Sequence, residues 1–549
     1  MQKKYKSIVF YVLIGIGIVS STLAQETLKS AEEEYYDFLA MQGLIERPTL
    51  NYRTLSDSVW IPTSTEEATG NQSGNPWQHN NLGTIRNLTD RITMKIYGPE
   101  LFTSFNSAAP YGQNDGVLWQ GRGLNASLIG GIRFEGYGLE VTVKPQFSFS
   151  QNMNFELMQS AYDNQYGYFW SYGNNNGVDA PQRFGDSAFF DWSFGDTEIR
   201  YTWKTLTIGF GTQNIWLGPS YINPILHSNN AAPYPKLDVG LRRTRVTIPG
   251  IEWYIGDIEA RIWTGFLSES EYFDSDSTND HNMFHGLALS YAPSFLPGLV
   301  VSANRTCLVK WKWENFKYVV PLPENTHVGE SGTGEDQKMS LAASWSFPKV
   351  GFEVYGELGI DDFASGRWRR YPFSTSIYTV GLKKNIAVSE KHSIYGQIVF
   401  EHNWFELPLV RAAENGLYAF NFHYQIIQGY TNNGQYLGSA LANGGNSQYL
   451  GFKLYFPKGS ANIFFQRVNP DNTYLLATYD SSRIEHQNMS ANITIGISGV
   501  YFITKTIQLG GGISYTEMIN PLNAPLFNTG SPNQRWHNIN CNLKLKYCY

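Results

Sequence analysis

Two adjacent asparagines held between prolines are the first residues in this chain placed to do chemistry. The segment Asn214-Ile215-Trp216-Leu217-Gly218-Pro219 continues through Ser228-Asn229-Asn230-Ala231-Ala232-Pro233-Tyr234-Pro235. Its prolines give the backbone a fixed path. Asn229 and Asn230 each bring two amide donors and an acceptor, the set that sugar hydroxyls need, although the same amides serve equally well as turn caps. Other groups are weaker candidates. Gly185-Asp186-Ser187 resembles the start of a lipolytic serine motif, yet His227, His402 and His486 have no orienting partner nearby in sequence. Asp274-Ser275-Asp276-Ser277-Thr278-Asn279-Asp280 has some Ca²⁺-loop character but lacks the sixth-position Gly and has His285 where a Glu would close the site, so it reads as a solvated loop. His281 and His285 are four apart, a useful metal spacing only on a helix, and this stretch enters a strand. No cofactor and no metal site is expected.

The elements that must position these residues are strands. Ile539, Cys541, Leu543, Leu545, Tyr547 and Tyr549 alternate with Asn540, Asn542, Lys544, Lys546 and Cys548, giving one apolar face and one wet face. Leu139 to Ser150, Glu198 to Trp203, Leu450 to Phe456 and Met489 to Ser498 alternate in the same way, while Arg305 interrupts an otherwise apolar parity. About eighteen such segments start near 90, 126, 139, 197, 206, 237, 257, 283, 299, 337, 351, 374, 392, 447, 460, 488, 506 and 538. Short connections (Gly136-Tyr137-Gly138, Lys204-Thr205, Pro293 to Gly298, Pro348-Lys349, Ser389 to Lys391, Pro457 to Gly459, Thr504-Lys505) alternate with long ones. The long ones fill 97–125, 151–196, 214–236, 269–282, 310–336, 363–373, 406–446, 471–487 and 519–537. An even strand count with turns at one end and loops at the other predicts an all-β, transmembrane antiparallel β-barrel, its turns periplasmic and its loops extracellular. Glu198, Arg200, Arg243, Arg245, Glu259, Arg261, Glu353 and Glu357 fall on the inner parity with Trp263, Tyr355, Tyr395 and Tyr455. They would either line an open channel or pair to fill a closed interior.

Residues 1–24 read as a signal peptide: Lys3, Lys4 and Lys6, an apolar run from Ile8 to Val19, then Thr22-Leu23-Ala24. Residues 25–83 read as a periplasmic helical and linker segment, free or packed against the barrel's lower mouth. Ser30 with Glu33 forms a capping box, Leu28, Ala31, Tyr35, Phe38 and Leu39 recur at helical spacing, and Gly43 caps the end. A second helical turn is expected around Thr54 to Trp60, and the barrel itself over 84–549. Charged residues are 16% and aromatics 15% of the 549, below the roughly 25% charge of ordinary globular chains and suited to aromatic girdles. The acidic balance, without a basic run, argues against nucleic acid. Cys541 and Cys548 would sit roughly 23 Å apart on one extended strand, too far to bridge.

Trp216, Gly218-Pro219, Ser228-Asn229-Asn230-Ala231 and Pro233-x-Pro235 resemble the signature loop of the capsule assembly Wzi family of outer-membrane proteins. Leu217 and Ser220 stand where that family usually has an aromatic and a glycine. Pro110 to Gly116, with Asp115, and Trp119-Gln120-Gly121-Arg122-Gly123 resemble the first-hairpin motif of its Bacteroidetes branch. The resemblance implies a non-enzymatic lectin in the Gram-negative outer membrane that helps attach capsular or extracellular polysaccharide. Its binding residues would include Asp115, Trp119, Arg122, Trp216, Asn229 and Asn230. Trp311, Trp313 and Trp368, with Tyr318 and Tyr371, would offer stacking faces, and Arg367 and Arg369, with Lys310, Lys312 and Arg370, would fork an acidic sugar. The competing assignment puts these aromatics in the outer girdle and the bases against lipopolysaccharide phosphates. Two other functions stay open: a diffusion porin, and a lipid- or glycan-modifying hydrolase built on Ser187.

Overall fold

In a computed structural model, the chain is described over residues 24–25, 29–62, 74–83, 85–171, 177–321, 334–361, 371, 376–406, 419–441, 443–478, 489–524 and 534–549. Most of the expected signal segment lies outside these residues, as do Arg367, Trp368, Arg369 and Arg370.

Alternation becomes a ring of eighteen antiparallel strands. The first six are β1 (Ile92–Asn106), β2 (Gly123–Gly136), β3 (Leu139–Val143 continued by Gln146–Ser150), β4 (Phe189–Ser193 continued by Glu198–Trp203), β5 (Leu206–Gly211) and β6 (Lys236–Ile248). Next come β7 (Trp253–Ser268), β8 (His281–Pro293), β9 (Leu299–Lys310), β10 (Glu335–Phe347), β11 (Phe352–Asp361) and β12 (Ser376–Ser389). The ring is completed by β13 (Ile394–Trp404), β14 (Asn446–Phe456), β15 (Gly459–Asn469), β16 (Ala491–Phe502), β17 (Ile507–Ile519) and β18 (Arg535–Tyr547). β18 closes on β1, Asn540 opposite Asn106 and Lys546 opposite Glu100. Parity sorts the side chains: on β18 Leu543 is 53% exposed toward lipid, whereas Asn540 is 4% exposed toward the lumen. Connections at one end span two to five residues, and those at the other carry the long loops.

The wall departs from strict alternation in three places. β1 runs on to Asn106, and the expected loop from 97 is shorter than drawn, because a bulge at Gly98-Pro99 resets the register without ending the strand. β3 breaks at Lys144-Pro145, where proline has no N–H to give the ladder. In β6, Arg242 and Arg243 together oppose the single inner residue Glu259, so a bulge adds Arg242 to the inner face.

The lumen is filled from both ends. Residues 29–62 and 74–83 do not stay outside the mouth. Helix α1 (Ala31–Ala40), N-capped by the Ser30 side chain, packs Tyr35 and Phe38 with Trp77 against Tyr395 and Tyr455 of the wall. Glu32 pairs with Lys546 at 2.9 Å, Asp37 with Lys383 at 2.8 Å, and Glu34 with Lys453. Residues expected as a second helical turn form a tight turn at 55–57 and then the strand Val59–Pro62. The β-branched Thr54, Val59 and Ile61 favour extended backbone there. Asp57 reaches Arg242 and Arg261, both at 2.7 Å. Asp238 in turn bridges Arg261 and Arg200, at 2.9 and 2.8 Å. The inner charges therefore pair, as a closed interior requires.

Candidate functional site

Loop 212–235 enters the lumen from the extracellular end and meets the N-terminal segment. Trp216 and Leu217 pair with Arg53 and Tyr52 in a two-residue ladder. Wall glutamates fix both intruders by the same device, a carboxylate gripping successive backbone amides. Glu259 accepts from the N–H groups of Leu50, Asn51 and Tyr52 at 2.9, 3.1 and 2.7 Å. Glu401 accepts from Tyr221, Ile222 and Asn223 at 2.5, 3.3 and 3.0 Å. Loop 419–441 packs over them, placing Phe420, Ile426, Tyr430 and Leu437 in one core with Ile215, Leu226 and Trp263.

A cleft of about 760 Å³ remains on the extracellular side, within the size range of ligand sites. One side is the inner face of β15–β18, which contributes Gln466, Asn492, Thr494, Thr516, Asn538, Asn540 and Asn542. The other is the β1–β2 loop with Tyr111, Asp115, Trp119 and Gln120, closed above by Tyr168, Phe169 and Tyr436. The amides form a ladder: Asn542 Nδ2 donates to Asn540 Oδ1 at 3.2 Å, and Asn540 Nδ2 to Asn106 Oδ1 at 2.7 Å. Trp119 Nε1 and Asn492 Oδ1 are buried without a hydrogen-bond partner among the described residues.

The cleft floor is residues 113–116, and the signature loop holds it. Gly116 N–H donates to the Asn229 carbonyl at 2.9 Å, Asn114 N–H to Asn230 Oδ1 at 3.3 Å, and Asn114 Nδ2 to the Ile222 carbonyl at 3.0 Å. Asp115 accepts from Gln120 Nε2 at 2.7 Å, and burial pushes its carboxyl up to about 6. Beneath the floor lies a second cavity of about 350 Å³, lined by Lys144, Lys544 and Lys546 together with Asn229.

Asp115, Trp119 and Asn230 thus come together at the cleft, with Asn229 on the far side of its floor. Arg122 stands outside the lining and ties the hairpin down, donating to the Ser107 carbonyl at 3.1 Å and to that of Asn154. Trp216 is fully buried in the plug beneath the Lys29 and Arg53 cations, so it positions the loop and presents no face to a ligand. Trp311 and Trp313 are exposed on another side of the molecule. The asparagines of β16 and β18 are cleft residues that sequence reasoning did not single out. Their signal was present as uncharged amides on the inner parity of those two strands, with Ser514 and Thr516 between them on β17.

Of the serine and histidines considered for nucleophilic chemistry, His486 lies outside the described residues. Ser187 is exposed, and no hydrogen bond joins it to a histidine among the described residues. His227 is buried between the Ile215 carbonyl and Tyr234 Oη, and burial pushes its imidazole down to about 3, so it stays neutral. In the acidic loop Asp276 accepts from Thr278, a self-contained turn.

A family model described as capsule assembly protein Wzi matches residues 134–525. A solved structure of Wzi from Escherichia coli is described as an outer-membrane protein involved in group 1 capsule assembly and a carbohydrate-binding β-barrel. It is 10% identical with a TM-score of 0.57, covering 96% of this chain and 100% of that one. OccAB1 of Acinetobacter baumannii and a BenF-like porin of Pseudomonas fluorescens are 10% and 9% identical, each with a TM-score of 0.37. They cover 82% and 84% of this chain and 96% and 100% of their own. No curated protein sequence matches the chain.

Proposed function

The chain belongs to the capsule assembly protein Wzi family, and on that footing we propose that this outer-membrane barrel holds capsular or extracellular polysaccharide at the cell surface without turning it over. The observation that carries the reading is the cleft between the amide- and hydroxyl-bearing inner face of β15–β18 and the aromatic hairpin loop. Amides on one wall meet hydroxyls in both donor and acceptor roles. Tyr111 and Trp119 on the other offer apolar faces to the C–H surface of a pyranose. The Escherichia coli relative, described as carbohydrate-binding, supports the same assignment.

The test is polysaccharide binding by the purified barrel. Trp119→Ala and Asn540→Ala are each expected to weaken binding by about tenfold while the barrel keeps its heat-modifiable mobility. Undiminished binding in the double variant would remove the cleft from consideration. Planar-bilayer conductance tests the porin alternative: the plug and loops 212–235 and 419–441 fill the lumen, so no large steady channel is expected. A steady open current would overturn the reading.

A further inference from the structure

Part of the connection after β9 lies against the lipid side of the wall rather than over the mouth. Phe284 and Leu308 point inward and join the lumen core, so Met283, Cys307 and Val309 on the same strands point outward. Yet these three are fully buried, in one cluster with Tyr318. Their cover is the short 3₁₀ helix Trp313–Tyr318, tied back where Asn315 Nδ2 donates to the Lys310 carbonyl at 2.8 Å. The cover also hides His285, which shares the outward parity and would otherwise present an imidazole to hydrocarbon.

Trp311 fixes the height of this flap. Its ring meets Phe266 edge-on at 4.6 Å, and Phe266 lies on the outer parity at the extracellular end of β7. Lipid-facing Leu287 and Leu289 lie below it on β8. Trp311, Lys312, Trp313, Phe316 and Lys317 are all exposed, with Trp313 at 87%; Lys310, Trp311 and Lys312 also border a cavity of about 790 Å³ shared with Glu269, Asp276 and Asp280 of the β7–β8 loop. Residues 310–318 carry three lysines against one acid, Glu314.

We propose that this flap is a docking surface for anionic, phosphate-bearing lipid of the outer leaflet, its indoles seated at the interface and its lysines against headgroup phosphates. Two features favour lipid over a glycan chain. The flap is continuous with the lipid-facing band through the Trp311–Phe266 contact. Trp313, packed against Phe316 at 4.9 Å and otherwise open, has no opposing wall among the described residues to enclose a sugar, unlike the cleft.

The experiment uses the full barrel in zwitterionic detergent, with bisphosphorylated lipid A as probe and its dephosphorylated form as control. The native protein is expected to prefer the phosphorylated form by at least about tenfold at low salt. Combined Lys310→Gln, Lys312→Gln and Lys317→Gln is expected to abolish that preference and leave polysaccharide binding unchanged. Equal binding of the two lipids by the native protein, or an undiminished preference in the variant, overturns the proposal. So does the reverse pattern, in which polysaccharide binding falls and lipid binding stays. As a second readout, Trp313→Phe should lower fluorescence quenching by lipid brominated near the headgroup, and unchanged quenching refutes the seating.

Discussion

Replacing Glu34 with Gln tests whether the N-terminal segment is held in the lumen by charge. Glu34 sits in α1 and is mostly buried, paired with Lys29 at 3.2 Å and with Lys453 of β14, and it accepts from Tyr221 Oη at 3.1 Å. Burial alone would raise its carboxyl, but Lys453 and Lys29 overcome that and hold it at about 2 against an ordinary 4.5. At about 1.4 kcal/mol per pH unit, the charged form contributes on the order of 3 kcal/mol to docking at neutral pH. Because the docked value is the lower one, this contribution is complete above about 4.5 and is lost as pH falls toward 2. Asp37 and Asp57 act in the same direction: burial opposes their ionisation, and Arg47 with Lys383, and Arg261 with Arg242, more than compensate. Hydrogen exchange of the α1 amides, corrected for intrinsic rate, should therefore accelerate by about a hundredfold in Glu34→Gln at pH 7. The acid-induced loss of protection should become shallower by one proton. Amides of β14 should change little. Acceleration below about threefold, or an equal effect in β14, would refute charge-held docking.

Three further outcomes follow from the same geometry. Burial holds Asp115 near 6, so affinity for an acidic polysaccharide should rise as pH drops from 7 through 6 and this carboxylate is neutralised; Asp115→Asn should flatten that profile, and a persistent step would place its origin elsewhere. Trp216→Ala should cost about 3–5 kcal/mol of plug packing, measured as a lower midpoint for release of the N-terminal segment to protease. Its effect on glycan binding should come through the floor and be absent when the floor hydrogen bonds survive. Gly286 lies under the Trp263 ring, where an added Cβ would fall 2.0 Å from Cζ2, so Gly286→Ala should cost about 1–3 kcal/mol and lower the yield of heat-modifiable barrel.

The barrel was legible because lipid imposes one rule on every strand. The starts expected near 139, 206 and 299 are those of β3, β5 and β9, and the other fifteen lie within a few residues, except where β4 begins earlier, at Phe189. Misreadings arose where a local feature breaks the period. The turn at 249–252 is hidden in the sequence because Ile248, Ile251 and Trp253 carry the apolar run across Pro249-Gly250. Arg242 and Arg243 both reach the inner face because of the bulge opposite Glu259, which strict alternation does not show. The plug was harder still. Its helix announces itself through Ser30 and Glu33, but its partners Lys383, Lys453 and Lys546 lie hundreds of residues away, and nothing local names them. Of the candidate site, Asp115, Trp119 and Asn230 were found through motif likeness, whereas Asn492 and Asn540 needed the closed ring to show which inner faces converge.

The distribution of inner charge explains why one side of the lumen is left for ligand. Between β2 and β7 the inner face carries Arg133, Glu140, Glu198, Arg200, Asp238, Arg242, Glu259 and Arg261. Each is engaged by another of the set or by the N-terminal segment. Desolvated charges demand a partner with fixed geometry, so that half of the barrel must be filled by protein. Above Lys544 and Lys546, the inner faces of β15–β18 carry Asn, Gln, Ser and Thr side chains without charge. Such groups tolerate exchange of one neutral hydrogen-bond partner for another, water for hydroxyl, at little cost. A ring with charge on one arc and amides on the other therefore anchors its plug against the first and leaves the second open to a polyhydroxylated chain.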